Sequence, residues 1–309
     1  MRIARQAWSM VKQVFKEWSA DKGWRLGAAL SYYTVFSMAP LLLLVISLAG
    51  LVFGRAAAEG RIFAELTGVL GNDTASLIQT AVTKANQSRG GALGAVLRTV
   101  ALVAGATGVV VELQDALDTV WKLAPRPHRG LRGLIRTRVL SVAMIIALGF
   151  LLLVSLAVSA ALSAFGDWLH GIIGNAVALG WLLDTLIALA VTVMLVALIF
   201  KILPSAKVRW RDVWVGASAT ALLFLLGKHL IAVYIGKTGV ASWFGAAGSL
   251  VVLLIWVYYS AQIVLLGAEF TRLYANRFGA KVRPGRESVL AGPAVNPAPL
   301  LPEASPRRV

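Results

Sequence analysis

Gly27-Ala28-Ala29-Leu30-Ser31-Tyr32-Tyr33-Thr34-Val35-Phe36-Ser37-Met38-Ala39-Pro40, running on into Leu41-Leu42-Leu43-Leu44, lies in a stretch without a charge between Arg25 and Arg55. A helix needs about 20 apolar residues to cross a bilayer, and this stretch is longer. Its first half is crowded with hydroxyls. Pro40, near its middle, cannot donate to the carbonyl of Phe36, so one helical hydrogen bond is lost in a medium that offers no replacement. Apolar enough to insert and polar enough to need neighbours, the segment reads as a transmembrane helix packed inside a bundle.

The rest of the chain repeats the pattern. Uncharged runs extend from Arg138 to Asp167 and from Lys237 to Glu269. The sequence predicts an all-α polytopic membrane protein with six spans, at about 26–53, 91–112, 139–166, 181–203, 213–236 and 244–268. These lie in a transmembrane domain at 26–278. Residues 1–25 form an N-terminal segment in which Ile3, Ala7, Val11, Val14, Phe15 and Trp18 recur at helical spacing. That predicts an amphipathic helix, either on the inner membrane surface or packed on the protein itself. Two shorter amphipathic helices are expected within 54–90, on either side of Gly71-Asn72-Asp73-Thr74. The tail at 279–309 is rich in proline and is expected to be disordered.

Composition supports this class. Charged residues make up 14% of the chain, against about 25% in soluble proteins, and the mean hydropathy is +0.77. The net charge of +16 would suit nucleic acid, but the distribution of the charge does not. Lys and Arg number 6 in residues 1–25, 6 in 111–138, 4 in 201–212 and 7 in 271–309, while 171–180 has none. Positive charge on alternate connections is a topology signal, and it places both termini in the cytoplasm. An even number of spans gives the same side for both. The basic N-terminus lacks the apolar core and cleavage site of a signal peptide. The absence of cysteine excludes disulfides, thiolate metal sites and cysteine nucleophiles.

Ionisable residues inside spans are costly and become candidate functional groups. Arg98, Asp184, Lys228 and His229 fall towards the outer half of spans two, four and five. Arg98 is roughly 9 Å and Lys228 roughly 12 Å from the outer ends of their spans. Together they suggest an outward-opening basic pocket for an anionic group such as a phospholipid phosphate, with Asp184 balancing one cation. Simple Asp184–Lys228 pairing, with Arg98 snorkelling to the surface, is the alternative. A second set, Tyr258, Gln262 and Glu269, shares one face of span six. With Ser31, Tyr32, Tyr33 and Pro40 of span one it would line a polar intramembrane seam, or else fix packing through interhelical hydrogen bonds and a Glu269–Arg272 pair. Glu112, Asp115 and Asp118 read as a solvated helix end or a cation site. His128, His170 and His229 lie on separate segments, so no metal site is expected. No cofactor is implied.

Several of these segments resemble, in order and spacing, the YihY / virulence factor BrkB family of bacterial inner-membrane proteins, formerly called ribonuclease BN-like. The resemblance rests on Gly27-Ala28-Ala29-Leu30-Ser31-Tyr32-Tyr33 with Pro40, Trp121 followed by Pro125-Arg126, and Leu203-Pro204. It continues through Val208-Arg209-Trp210-Arg211, Gly216, Trp256-Val257-Tyr258-Tyr259-Ser260-Ala261-Gln262 and Gly267-Ala268-Glu269. Asp118 departs from the pattern, which carries asparagine before the tryptophan. The resemblance implies a six-helix cytoplasmic-membrane protein with no established catalytic residues. Ribonuclease activity has no support in the residues, and no nucleophile–base or metal constellation assembles, so an enzyme is not expected. Transport or translocation of an unidentified substrate, such as an anionic lipid, is the leading expectation. A non-transporting scaffold for cell-envelope assembly is the other. Membrane lipids, a homo-oligomer or an envelope protein are the expected partners, and nucleic acid is not.

Overall fold

The computed structural model describes residues 2–86, 92–125, 177–238, 247–284 and 288–290, together with positions 143 and 244. In chain order among these residues run α1 (Arg2–Ala20), α2 (Gly23–Phe53), α3 (Arg55–Leu70), α4 (Asn72–Asn86) and α5 (Ala92–Val120). There follow β1 (Leu123–Pro125), α6 (Val177–Ile202), β2 (Ala206–Lys207), α7 (Trp210–Thr238), α8 (Gly248–Phe278), β3 (Arg283–Pro284) and β4 (Ser288–Leu290). Among the described residues, four helical stretches are long and apolar enough to cross a membrane: Gly23–Leu51, Thr185–Ile202, Trp210–Ile231 and Gly248–Phe278. The expected second span falls on α5. The expected third span, 139–166, lies outside the described residues except for position 143.

α2 runs through Pro40 as one helix. It can do so because α5 fits closely against it. A methyl group at Gly105 would stand 3.0 Å from the Pro40 ring, and one at Gly108 would stand 3.2 Å from the Ser37 hydroxyl. Small residues on α5 thus receive the proline ring and bring the two backbones near each other.

α7 and α8 cross in the same manner, but reciprocally. A side chain at Gly216 of α7 would collide with Thr271 of α8, and one at Gly267 of α8 would collide with Thr220 of α7. Each threonine hydroxyl donates to a carbonyl of its own helix, Thr220 to Gly216 at 2.7 Å and Thr271 to Gly267 at 2.6 Å. The hydroxyls are therefore satisfied inside the interface. Pairing 216 with 271 and 220 with 267 makes the crossing antiparallel, as consecutive spans require.

Two apolar clusters occupy opposite ends. One gathers Trp121, Phe200, Leu203, Val213 and Leu265, where α5 and α6 end, α7 begins and α8 runs past them. The other joins Leu43 and Ile46 of α2 to Phe63, Ile78 and Val82 of the short α3–α4 pair and to Leu253 of α8. α1 lies against α8, with Met10 and Val14 buried. It leaves Trp8, Val11 and Phe15 exposed on another face, where Lys12 sits over the Trp8 ring. One helix thus has one apolar side on the protein and another turned away from it.

The helix connections are tied by two small antiparallel ladders. β1 pairs with β4 and β2 with β3. Within the segment read as tail, residues 283–284 and 288–290 therefore form strands; the rest of that segment, from 291, lies outside the described residues. Asp118 Oδ1 accepts the Ser205 backbone N–H at 2.7 Å, fixing the α6–α7 turn to the end of α5. Either a carboxylate or an amide oxygen can accept such a bond.

Candidate functional site

The densest polar arrangement lies at the end of the bundle that carries α1. Lys122 follows the last turn of α5 with a left-handed φ of 56°. That costs a non-glycine residue about 1 kcal/mol and turns its side chain towards α1. Its ammonium bonds to Asp21 Oδ1 and lies 3.5 Å from Glu17 Oε2. Arg272 of α8 reaches the same Glu17 oxygen at 2.9 Å. It also grips Glu269 Oε2 with two nitrogens, at 2.8 and 3.2 Å. Glu269 is fully buried and Arg272 nearly so.

Burial acts to raise the Glu17 carboxyl. The hydrogen bond and charge of Arg272, with Lys122 behind them, outweigh it and hold the group below its ordinary value. Next to Glu17 along α1, the Trp18 indole N–H donates to Gln262 Oε1 at 2.9 Å. The Gln262 amide donates in turn to the Gly23 carbonyl at 3.2 Å. Three segments distant in sequence are thereby joined: the α1–α2 corner, the end of α5 and the second half of α8.

Sequence reasoning placed Tyr258, Gln262 and Glu269 on one face of the last span, offered a Glu269–Arg272 pair, and put Trp18 on the apolar face of α1. It missed Glu17, Asp21 and Lys122 as their partners. A turn of alternating charge, Lys16-Glu17 to Asp21-Lys22, was the available signal, and it resembles an ordinary solvated helix end.

The expected seam is divided by the structure. Ser31 is buried, but its hydroxyl donates to Gly27 of its own helix at 2.8 Å. Gly27 faces Gln262 and the Tyr258 ring. Tyr32 turns to the outer face of the described bundle and stacks on Phe36 at 4.6 Å. The Tyr33 ring borders Gly108 of α5. On the inner side of the seam Gly27, Ser31 and Glu269 are buried and Gln262 is half-buried, while Tyr258 lies on its exposed margin.

The four intramembrane ionisable residues fall on three helices, Arg98 on α5, Asp184 on α6, and Lys228 and His229 on α7. The side chains of Arg98 and Asp184 lie outside the described residues. Lys228 is half-buried and His229 exposed. Asp184 and Lys228 each lie about 18 residues from the α6–α7 turn, roughly 27 Å along either arm of that hairpin, which gives them a common depth. The neighbouring Gly227 abuts Tyr259 and Ile263 of α8. Tyr259 precedes Glu269 by about ten residues, so Lys228 stands roughly 15 Å from the Glu269 network. Arg98 precedes the end of α5, beside that network, by about 22 residues or roughly 33 Å. Lys228 and Asp184 thus share a level near the far ends of the apolar stretches Trp210–Ile231 and Thr185–Ile202, and Arg98 lies farther still from the network. Among the described residues, no group of three or more His, Asp or Glu is arranged to hold a metal ion.

Membrane-length helices packed through small residues define a polytopic α-helical membrane protein. The profile of the Virulence factor BrkB family matches residues 14–290, and the chain belongs to that family. The match takes in the whole network from Glu17 to Arg272 and ends with β4. Among similar proteins, a UPF0761 membrane protein of Tolumonas auensis is 26% identical over 249 residues, covering 80% of this chain and 78% of its own length. One from Klebsiella pneumoniae is 35% identical over 196 residues, 60% of this chain and 61% of the relative. One from Pseudomonas paraeruginosa is 28% identical over 258 residues, 80% and 58% respectively. No solved structure matches the chain.

Proposed function

We propose that this BrkB-family membrane protein translocates an amphipathic anion across the bacterial cytoplasmic membrane, with both termini in the cytoplasm and a phospholipid as the substrate class. The observation that carries this reading is Lys228, half-buried inside the membrane-length apolar stretch Trp210–Ile231, three residues from its far end. A cation inside such a stretch is costly unless something compensates it. Asp184 at the same level supplies a counter-charge when no substrate is present. Arg98, nearer the far end, and Lys228, deeper, then act as two successive stations for a phosphate rather than as one pocket. The proline within α2 and the small-residue contacts with α5 give the path a helix pair able to shift without breaking a dense side-chain interlock.

The test is translocation of a fluorescent-headgroup phosphatidylglycerol in proteoliposomes, read by its accessibility to an impermeant quencher. Lys228→Ala is expected to slow translocation at least tenfold at unchanged folding, and Lys228→Arg to retain most of it. Equal rates for wild type and Lys228→Ala would overturn the reading. A scaffold for envelope assembly is the second reading, favoured by the α3–α4 pair covering the far ends of α2 and α8. It expects Lys228→Ala and Arg98→Ala to affect only stability.

A further inference from the structure

The polar network at the α1 end has an unbalanced charge. Among the described residues, Glu17, Asp21 and Glu269 pair with two cations, Lys122 and Arg272. The bonds are also unevenly distributed. Arg272 spends both its contacts to Glu269 on Oε2, and Lys122 takes Asp21 through Oδ1. Glu269 Oε1 and Asp21 Oδ2 are buried and lack a hydrogen-bond partner among the described residues. The two carboxyls belong to one cluster: Lys122, bonded to Asp21, and Arg272, bonded to Glu269, meet at Glu17 Oε2. An unsatisfied buried acceptor is costly, and two adjacent buried carboxylates repel.

One proton resolves both defects. We infer that Asp21 and Glu269 form a proton-binding site, sharing a single proton between Oδ2 and Oε1 at neutral pH. The proton comes from water. Its uptake converts a site of net charge −1 into a neutral one and adds the missing hydrogen bond. Its departure leaves two carboxylates facing each other across the α1–α2 corner and α8.

Other charges near the pair do not relieve it. Lys22 and Arg25 are exposed. Asp118 of α5 is bound to Ser205, and Asp212 of α7 accepts the Ala280 N–H at the end of α8. Glu17 adds to the negative excess. The inference is independent of whether the protein moves lipid, since it concerns a separate level of the bundle, roughly 15 Å from Lys228.

The test is infrared difference spectroscopy of the full-length protein in bilayers, titrated from mildly acidic to alkaline pH. A protonated-carboxyl carbonyl band, shifted by deuterium exchange, is expected in the wild type near neutral pH and is expected to vanish with release of one proton at alkaline pH. Glu269→Gln and Asp21→Asn should each abolish it, because either amide supplies permanently the hydrogen that the proton supplies. In the same samples, α1 should lose hydrogen-exchange protection at alkaline pH in the wild type but keep it in both variants. Absence of the band from the wild type would overturn the site, whatever the variants do. So would a band removed by only one substitution, because the proton would then belong to one carboxyl alone. Should a variant fail to fold, the one-proton wild-type titration with coincident loosening of α1 still decides.

Discussion

Thr220 and Thr271 occupy the space that a side chain at Gly267 or Gly216 would need. Both threonines bond to their own helices, so neither can swing out without leaving a buried hydroxyl unpaired. Gly216→Val or Gly267→Val is therefore expected to cost about 1–3 kcal/mol by overpacking. It should appear as a lower melting temperature of the detergent-solubilised protein. Gly60, with no neighbouring atom near its missing Cβ, is the control: Gly60→Ala should leave melting unchanged or raise it slightly, through helix propensity. Gln262→Leu removes two hydrogen bonds that join Trp18 to the α2 start. A loss of about 1–3 kcal/mol is expected, together with a red shift in tryptophan emission as the indole meets water.

At the scale of elements, α1 is attached to the bundle through charges whose sign of pH dependence is fixed. Glu17 is held below its ordinary value, so its contribution is present above the unfolded carboxyl range and is lost as pH falls through the folded value. Wild type and Glu17→Gln should therefore differ in α1 hydrogen-exchange protection near neutral pH and converge in acid. A constant difference at all pH values would show that Glu17 acts by packing alone. The helices themselves were legible in the sequence because hydropathy and charge spacing are local. The attachment of α1 was not, because Trp18 bonds to a residue 244 positions away and Glu17 to one 255 positions away. Periodicity gave Val14 no particular partner and passed over Met10, which the structure buries beside it. It equally left Tyr32 and Tyr33 in a seam that in the structure only Ser31, of the three, enters as a buried residue. Neighbouring residues on a helix point some 100° apart, so a run of polar residues cannot all face one neighbour.

For the whole molecule, orientation is the property on which translocation depends. The chain has no cysteine, so single-cysteine labelling needs no background substitutions. Lys207→Cys and Lys281→Cys place thiols on exposed positions at the α1 end, and Glu65→Cys places one on α3 at the other end. With both termini in the cytoplasm, an impermeant maleimide should label only Glu65→Cys in cells with a permeable outer layer and an intact cytoplasmic membrane. Labelling of the other two alone would invert the proposed topology.

The two strand ladders have a mechanical consequence. They lash the exit of α5, the turn between α6 and α7, and the chain beyond α8 into one knot. Helices stapled at one end can splay only at the other, as the blades of tongs part opposite their rivet. Any rocking that admits a substrate then has its fulcrum beside these strands, and its widest gape lies at the far face, where Arg98 stands. Because β4 follows α8, the last of the described helices, the rivet closes only after those helices have been delivered to the bilayer, so a protein truncated before β4 would be inserted but left without its rivet.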